Sequence, residues 1–422
     1  MINSEANSLL VVGGGAAGIV AAWRAASRGM SVTLIEKNPK LGIKLLISGG
    51  GRCNITHAGE TEELLRCFRT NEARFLRSSF FRFSNTQLLG HLAELGVETY
   101  ARENGRVFPV SGRAKDVVDV LSRMAERAGV RMLLGTPVLA LLAGESRVLG
   151  VETSEGPIPS PRVIVATGGC SYPRTGTTGE GFGWVRSLGH TVVPPRPALA
   201  PIYLDPVPPA NWQGIALREC EVIVEARGSF LAKARGDLLL THLGISGPAV
   251  LEVSREAFTL WKAEHDSSVF VDLMPGETWD KVAEEIRLEI LSNGNRTAET
   301  LAGVYLPQRL AGHLVGSAGI DPSKKCHQLK KEERRELALR LKRFPLGRIR
   351  DIPLERGEVT AGGVELREVD PKTMRSRIVK GLSLCGEILD VAGPIGGYNL
   401  QAAFSTGFVA GDAAADESQH GG

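Results

Sequence analysis

Apolar and polar positions first fall into a recognisable order over residues 8–36. An apolar run (SLLVV) leads through GGGAAG into an Ala-rich stretch ending near Arg28, and a second apolar run (SVTLIE) follows. This order predicts a strand, a tight turn, a helix and a second strand, that is, a βαβ unit. Two helical periods appear between 84 and 130. In the second, AKDVVDVLSRMAERAG, Val117, Val120, Leu121 and Met124 share one face and charges occupy the other, which predicts a packing helix. From 130 to 167 short alternating runs predict strands. The last of them, VIVAT, is wholly apolar, as in a parallel strand covered on both faces, and Gly168 and Gly169 end it.

The pattern then changes. Seven prolines between Pro194 and Pro209 exclude helix and central strand and predict a boundary. Beyond it CEVIVEA (220–226), DLLLTHLG (237–244) and VFVDLM (269–274) read as strands, and 278–345 reads as helices rich in Glu, Leu, Lys and Arg. After Pro353 the Gly-rich, strand-forming style returns in VTAGGV and GLSLCGE, followed by an Ala/Gly-rich helix from about Leu400 to Ala415. The expected organisation is a first domain over 1–193, a β-rich inserted subdomain over 194–277 and a helical inserted subdomain over 278–345. The remainder, 346–422, returns through the β-rich subdomain to the first domain.

Composition narrows the class. Among 422 residues, 43% hydrophobic and 23% charged are globular values and exclude a disordered chain or a coiled coil. The 50 glycines have no collagen period, so many must serve backbone geometry. No apolar stretch reaches about 18 residues, and the first ten lack a basic head and apolar core, so a cytoplasmic protein without membrane association is expected. The six cysteines, at 53, 67, 170, 220, 326 and 385, contain no C-x-x-C pair, and no metal site is expected. Net charge is +3, but Lys324–Arg350 holds eleven Lys/Arg against three Glu, a local +8 that leaves −5 for the rest.

Chemistry enters with the glycines. Gly13, Gly15 and Gly18 form G-x-G-x-x-G between strand and helix, with Ala16 and Ala17 inside the motif. The first allows the turn, the second admits a pyrophosphate to the backbone, and the third packs helix on strand. Glu36, at the end of the second strand, is placed to accept ribose hydroxyls, and Lys37 follows it. Three consecutive glycines in SGGGRCN (Gly49, Gly50, Gly51, then Arg52, Cys53 and Asn54) are explained by close approach of backbone to a ligand. The segment around Thr167 and Gly168, continuing as GGCSYPRTGTTGEGFG, is expected to wall the same site. Cys53, Cys170 and Tyr172 are candidate catalytic groups. FAD is preferred to a resident NAD because a Thr-Gly-Gly strand end and a far C-terminal Gly-rich segment both remain to be used, as in flavoproteins of the glutathione-reductase type. GLSLCGEILD resembles their last FAD strand, with Gly386 and Glu387 toward the ribityl chain and Asp390 as a second candidate. GPIGGYN (Gly396, Gly397, Tyr398, Asn399) then opens a helix whose N-terminus would face the flavin's carbonyl edge.

SGGGRCN, ATGGCSYPRTGTTGEGFG, THLGISGPAVL, TAGGV and GEILDVAGPIGGYNLQAAFSTG, in this order, resemble the YhiN/BaiN-type (aminoacetone-oxidase-like) NAD(P)/FAD-dependent oxidoreductase family nearly end to end. The resemblance implies an α/β fold: a Rossmann-like FAD domain with an inserted β-barrel-like subdomain and a helical subdomain. It implies noncovalent FAD, with Val138 contacting adenine through its backbone. It also implies reduction of an activated C=C bond, with uridine in large-subunit ribosomal RNA as favoured substrate. A small-molecule enone reductase or amine oxidase, and a nonenzymatic flavin-containing RNA binder, are the rivals. No second nucleotide domain is present in the sequence, so NAD(P)H would be a transient reductant. For RNA, Lys330, Lys331, Arg334 and Arg335 in KKEERRELALRLKRF form a cationic face, with Leu337, Leu341 and Phe344 on the packed face. Arg66, Arg69, Arg74, Arg77 and Arg82, interleaved with Phe68, Phe75, Phe80, Phe81 and Phe83, permit base stacking or core packing. Neither H-E-x-x-H, G-x-S-x-G nor a Walker A pattern occurs.

Overall fold

The structure, a computed structural model, describes residues 7–226, 230–264 and 266–420. The chain forms two units. One runs to Arg196 and resumes at Glu358; the other is the continuous segment Pro197–Gly357.

The first unit is built on a five-stranded sheet in the order Leu382–Leu384, Val163–Val165, Ser8–Val12, Ser31–Glu36, Arg131–Leu134, with every pairing parallel. Its middle strands are continuous apolar runs because helices cover both faces; Val11, Val163, Val165 and Leu384 are fully buried. This is a Rossmann-type fold. Helix Ala16–Ser27 returns the chain from the first strand to the second. Its buried face is made of small residues, among them Ala17, Gly18, Ala21, Ala22 and Ala25, so the C-terminal helix Tyr398–His420 comes unusually close. A Cβ added at Gly407 would lie 2.3 Å from the Ala17 carbonyl oxygen, and one at Gly411 would lie 2.2 Å from that of Ala21.

At the far end of this helix pair Asp412, buried to 8% side-chain exposure, accepts from Arg24 Nε and Arg28 Nη1 at 2.7 Å each, and from Arg82 Nη2. Burial pushes its carboxyl up, but hydrogen bonds from Arg24 and Arg28 and the charges of Arg24 and Arg82 outweigh it, so the group ends below its ordinary value.

Val192–Ala198 is a strand despite its prolines; it sits in a two-stranded sheet, where an unpaired edge needs no proline donor. Helices Thr61–Arg66, Thr70–Arg82 and Pro248–Glu264 had no clear period in the sequence. Phe68, Phe75, Phe80 and Phe83 are core, at most 6% exposed, and only Phe81 of the five is open, at 52%. Arg77 pairs with Glu62 at 2.5 Å and Arg82 with Asp412, so this cluster is packing and not a base-stacking platform.

The second unit holds a closed six-stranded barrel in the order Ile202–Asp205, Gly244–Ser246, Phe230–Leu240, Ala216–Ala226, Ser267–Asp272, Phe344–Asp351, with all pairings antiparallel. Alternation puts Val222, Val224, Val269, Val271, Leu238 and Leu240 inside. Helices Trp279–Ser292, Ala298–Ala302, Gln308–Ser317 and Lys331–Lys342 share its apolar core. Leu337 and Leu341 face that core from the last helix, whereas Phe344 already belongs to the closing strand. Four cations of the basic segment are in ion pairs: Lys324 with Glu333 at 2.7 Å, Arg340 with Glu336 at 2.7 Å, Lys342 with Asp272 at 2.6 Å, and Arg343 with Glu225. Arg335 lies over the Trp279 ring at 5.3 Å. Among the described residues Lys330, Lys331 and Arg334 have no ion-pair partner.

Asp412→Asn should destabilise the first unit by about 2 to 3 kcal/mol at pH 7, below the roughly 3 to 5 of a fully buried pair because the arginines stay partly hydrated. The depressed native value means that this stability is present above the unfolded carboxylate value, about 3.9, and is lost as pH falls through the native one. Denaturation of both proteins at pH 7 and in acid should show a gap that closes in acid; equal stability at pH 7 would refute the assignment.

Candidate functional site

The glycine turn after Ser8–Val12 separates two uses of glycine. Gly13 has φ +107°, and a Cβ there would lie 2.5 Å from the Ala166 carbonyl oxygen; one at Gly18 would lie 1.8 Å from that of Gly13. Both are demanded by packing. Gly15 is not: its φ of −85° suits any residue, and an added Cβ would meet no protein atom within 4 Å. It caps helix Ala16–Ser27, which has no acidic residue in its first turn and no side-chain cap, so the amides of Ala16 and Ala17 begin a helix end suited to an anion. Glu36 braces this turn, accepting from Gly14 N at 2.6 Å and from Asn38 N and Nδ2 at 2.8 Å each. With about four acceptor sites on a carboxylate, it retains one for a further donor. Lys37 is turned to Glu180 at 2.6 Å and Thr178 Oγ1 at 2.8 Å.

SGGGRCN ends helix Ile43–Gly51 in an unusual way. Ser48 is extended, Gly49, Gly50 and Gly51 have φ of +56°, +68° and +83°, and Cys53 has φ +57°. Successive left-handed residues leave the helix and turn the backbone outward, which non-glycine residues resist. A Cβ at Gly49 would meet Asn54 N at 2.9 Å, whereas Gly50 has no protein neighbour within 4 Å. Arg52 is exposed at the helix end. Asn54 ties the loop to the C-terminal segment: with its amide set to satisfy both sides, it donates to Val107 O and Thr56 O at 3.2 Å each and accepts from Gly397 N at 2.9 Å.

A polar centre joins segments from four parts of the sequence. Glu387 Oε2 pairs with Lys44 Nζ at 2.7 Å, while Oε1 accepts from Thr360 N at 2.8 Å and from Ser171 Oγ at 3.2 Å. Lys44 also donates to Ser171 Oγ at 2.7 Å. The Thr360 hydroxyl accepts from Cys170 N at 2.8 Å and Ser171 N at 3.1 Å. Thr167 Oγ1, in the adjoining strand end, is buried without a hydrogen-bond partner, beside Gly168 at φ +75°. A buried hydroxyl of this kind fits a polar ligand atom. Sequence reasoning missed Lys44, Ser171 and Thr360, although the last two lie inside motifs it quoted.

The C-terminal motif is braced from within. Gly386 (φ +76°) lies where a Cβ would be 2.7 Å from Ala17 Cβ, and Asp390 Oδ1 accepts from Gly362 N at 2.9 Å. Asn399 accepts from Gly393 N at 2.8 Å and donates to Gly393 O at 2.9 Å and Pro394 O at 3.3 Å. Gly396 and Gly397 have φ of +135° and +95°. Tyr398 stacks on His57 with ring centroids 4.7 Å apart. Gln401, also missed, accepts from Thr56 Oγ1 at 2.6 Å and holds Phe83 O. Val138 starts a strand paired with Thr153, and its half-buried side chain packs against the core of the first unit.

The catalytic candidates fare unequally. Cys53 is fully buried, and that burial pushes its thiol up to about 11, an environment of packed filler that disfavours proton exchange. Cys170 is half-buried; burial first and the charge of Glu387 second raise its thiol against Lys44. Tyr172 is half-buried at φ +52°, at the start of the Pro173–Thr175 turn.

A family model for the HI0933-like protein Rossmann domain matches residues 7–413. The 3-dehydro-bile acid delta(4,6)-reductase of Clostridium scindens is 33% identical over 414 residues, covering 97% of this chain and 99% of the relative. The ribosomal RNA dihydrouridine synthase of Haemophilus influenzae is 30% identical over 411 residues, covering 96% and 98%. Among solved structures, 3-ketosteroid delta1-dehydrogenase from Sterolibacterium denitrificans has the same fold at TM-score 0.54 and 14% identity, covering 97% of this chain and 100% of that one.

Two glycine variants separate ligand space from packing. Gly15→Val should fold with a near-native melting temperature and lose the yellow flavin absorbance, because its side chain enters open space at the helix N-terminus. Gly18→Val should lower the melting temperature itself. Wild-type flavin content in Gly15→Val would refute the placement of the pyrophosphate.

Proposed function

Because the chain belongs to the HI0933-like (YhiN/BaiN) family of FAD-dependent oxidoreductases, we propose that it reduces the C5=C6 bond of uridine in large-subunit ribosomal RNA. FAD, when bound, supplies the hydride, with NAD(P)H as its transient reductant. In this reading Gly13, Gly15 and the amides of Ala16 and Ala17 hold the pyrophosphate, and Glu36 the adenosine ribose. Val138 meets adenine through its backbone, and Thr167 and Glu387 serve the ribityl side. Gly50 and Gly51 give the ring its closest backbone approach, with Arg52 offsetting phosphate charge. The helix opened by Gly396–Asn399 turns its partial positive end to the flavin carbonyls.

The observation that carries the RNA assignment is the group of cations formed by exposed Lys330 and Lys331 and half-buried Arg334, none of them in an ion pair among the described residues, which suits a phosphate backbone. The H. influenzae relative, named for ribosomal RNA, spans the whole fold. A small-molecule enone is the second reading, favoured by the C. scindens relative named for a bile acid. Both substrates present an activated C=C bond.

Nucleoside mass spectrometry of ribosomal RNA from cells with and without the gene should show dihydrouridine only in the former. Reversing Lys330, Lys331 and Arg334 to Glu should leave flavin content intact and flatten the log-log salt slope of RNA binding by about 0.7 for each phosphate no longer neutralised. Unchanged dihydrouridine and an unchanged slope would transfer the assignment to a small-molecule enone.

A further inference from the structure

Glu358 occupies a place that its neighbours fix and its own side chain does not share in. Its carbonyl lies 3.3 Å from Ser171 Oγ and shares that hydroxyl's one proton with Glu387 Oε1. The strand Val359–Val364, buried at every position, begins beside it, and Thr360, two residues on, is bound to Glu387, Cys170 and Ser171. The backbone is therefore held against the polar centre. The side chain, in contrast, is exposed, and among the described residues no hydrogen bond or ion pair engages its carboxyl. The charges of Arg106, on strand Arg106–Pro109, and of Lys44, on helix Ile43–Gly51, favour its ionised form.

We propose that Glu358 is the acid–base group of this site, the carboxyl that delivers the proton accompanying hydride addition to the substrate's C=C bond. The inference rests on the reductase reading above. The step balances: one alkene carbon receives the hydride that reduced flavin gives up, its neighbour forms a C–H bond as the Glu358 O–H bond breaks, and the carboxylate regains a proton from water. Arg106 and Lys44 stabilise the carboxylate left behind. The other carboxylates near the polar centre are committed, Glu387 to Lys44, Thr360 and Ser171 and Asp390 to Gly362. The environment agrees. Surrounding protein raises the carboxyl above its ordinary value against the opposing charges of Arg106 and Lys44. Loss of hydration disfavours the charged form, so the proton is held to higher pH than on a free glutamate.

The test uses flavin-loaded wild type, E358Q and E358D. All three should keep flavin content and visible spectrum. Infrared pH titration should show a protonated-carboxyl band in wild type persisting above the ordinary glutamate range and missing from E358Q. After reduction with dithionite, reoxidation by ferricyanide, which needs no carbon protonation, should match across the three. Reoxidation by 2-cyclohexen-1-one or a uridine-containing ribosomal RNA fragment should slow at least about 100-fold in E358Q and recover in part in E358D. Wild-type rates and pH profile in E358Q would overturn the proposal. If wild type itself reduces neither alkene, the C=C reading falls, and the infrared band still decides: its presence and loss in E358Q keep Glu358 as the site's acid, and its absence removes it.

Discussion

Gly407 and Gly411 let the backbone of the C-terminal helix rest on that of Ala16–Ser27, with the carbonyl oxygens of Ala17 and Ala21 standing where any Cβ would have to be. This contact joins the two ends of the first unit. Around it the sheet takes Leu382–Leu384 beside Val163–Val165, and Gly386 comes against Ala17. Such a contact tolerates no added methyl, because interiors are packed to the density of organic crystals. It does tolerate a whole unit inserted between its partners, since loop-closure entropy grows only with the logarithm of length.

The polar groups of the site are arranged before any ligand is considered. Glu36 holds Gly14 and Asn38, Glu387 holds Lys44, Ser171 and Thr360, and Asn54 and Asn399 close two loops around Gly393 and Gly397. Orientation entropy is thus spent in folding, which is what preorganisation means for a cofactor site. Left-handed glycines then present backbone where a side chain would stand in the way.

The βαβ unit, the apolar strand at 163–165, the barrel strands and the helices after 278 were legible because each obeys a strong local period. So were the glycines, since a turn at φ +107° and a run of positive φ leave few alternatives in sequence. The roles of Asn54, Asn399 and Lys37 were less legible. Each lies in a ligand-type motif, yet its bonds go to other protein groups, and those partners are set by tertiary placement. The phenylalanines near Arg77 show the same limit: alternation with arginine permits both core packing and base stacking, and the helix over Thr70–Arg82, which turns Phe75 and Phe80 inward, decides for the core. Lys44 and Glu358 gave no local signal, and Thr360 was visible only as part of its glycine motif, because their meaning comes from strands and loops hundreds of residues apart.

The parallel sheet also has a consequence for synthesis. The edge of Val163–Val165 is covered only by Leu382–Leu384, so a growing chain carries a naked strand edge through the translation of everything between them, roughly ten seconds to a minute at about 5 to 20 residues per second. The continuous segment Pro197–Gly357 emerges whole within that interval and can fold first. A nascent chain that folds in this order passes through a stage with a finished barrel and an unfinished nucleotide fold, when chaperone capture has most to protect.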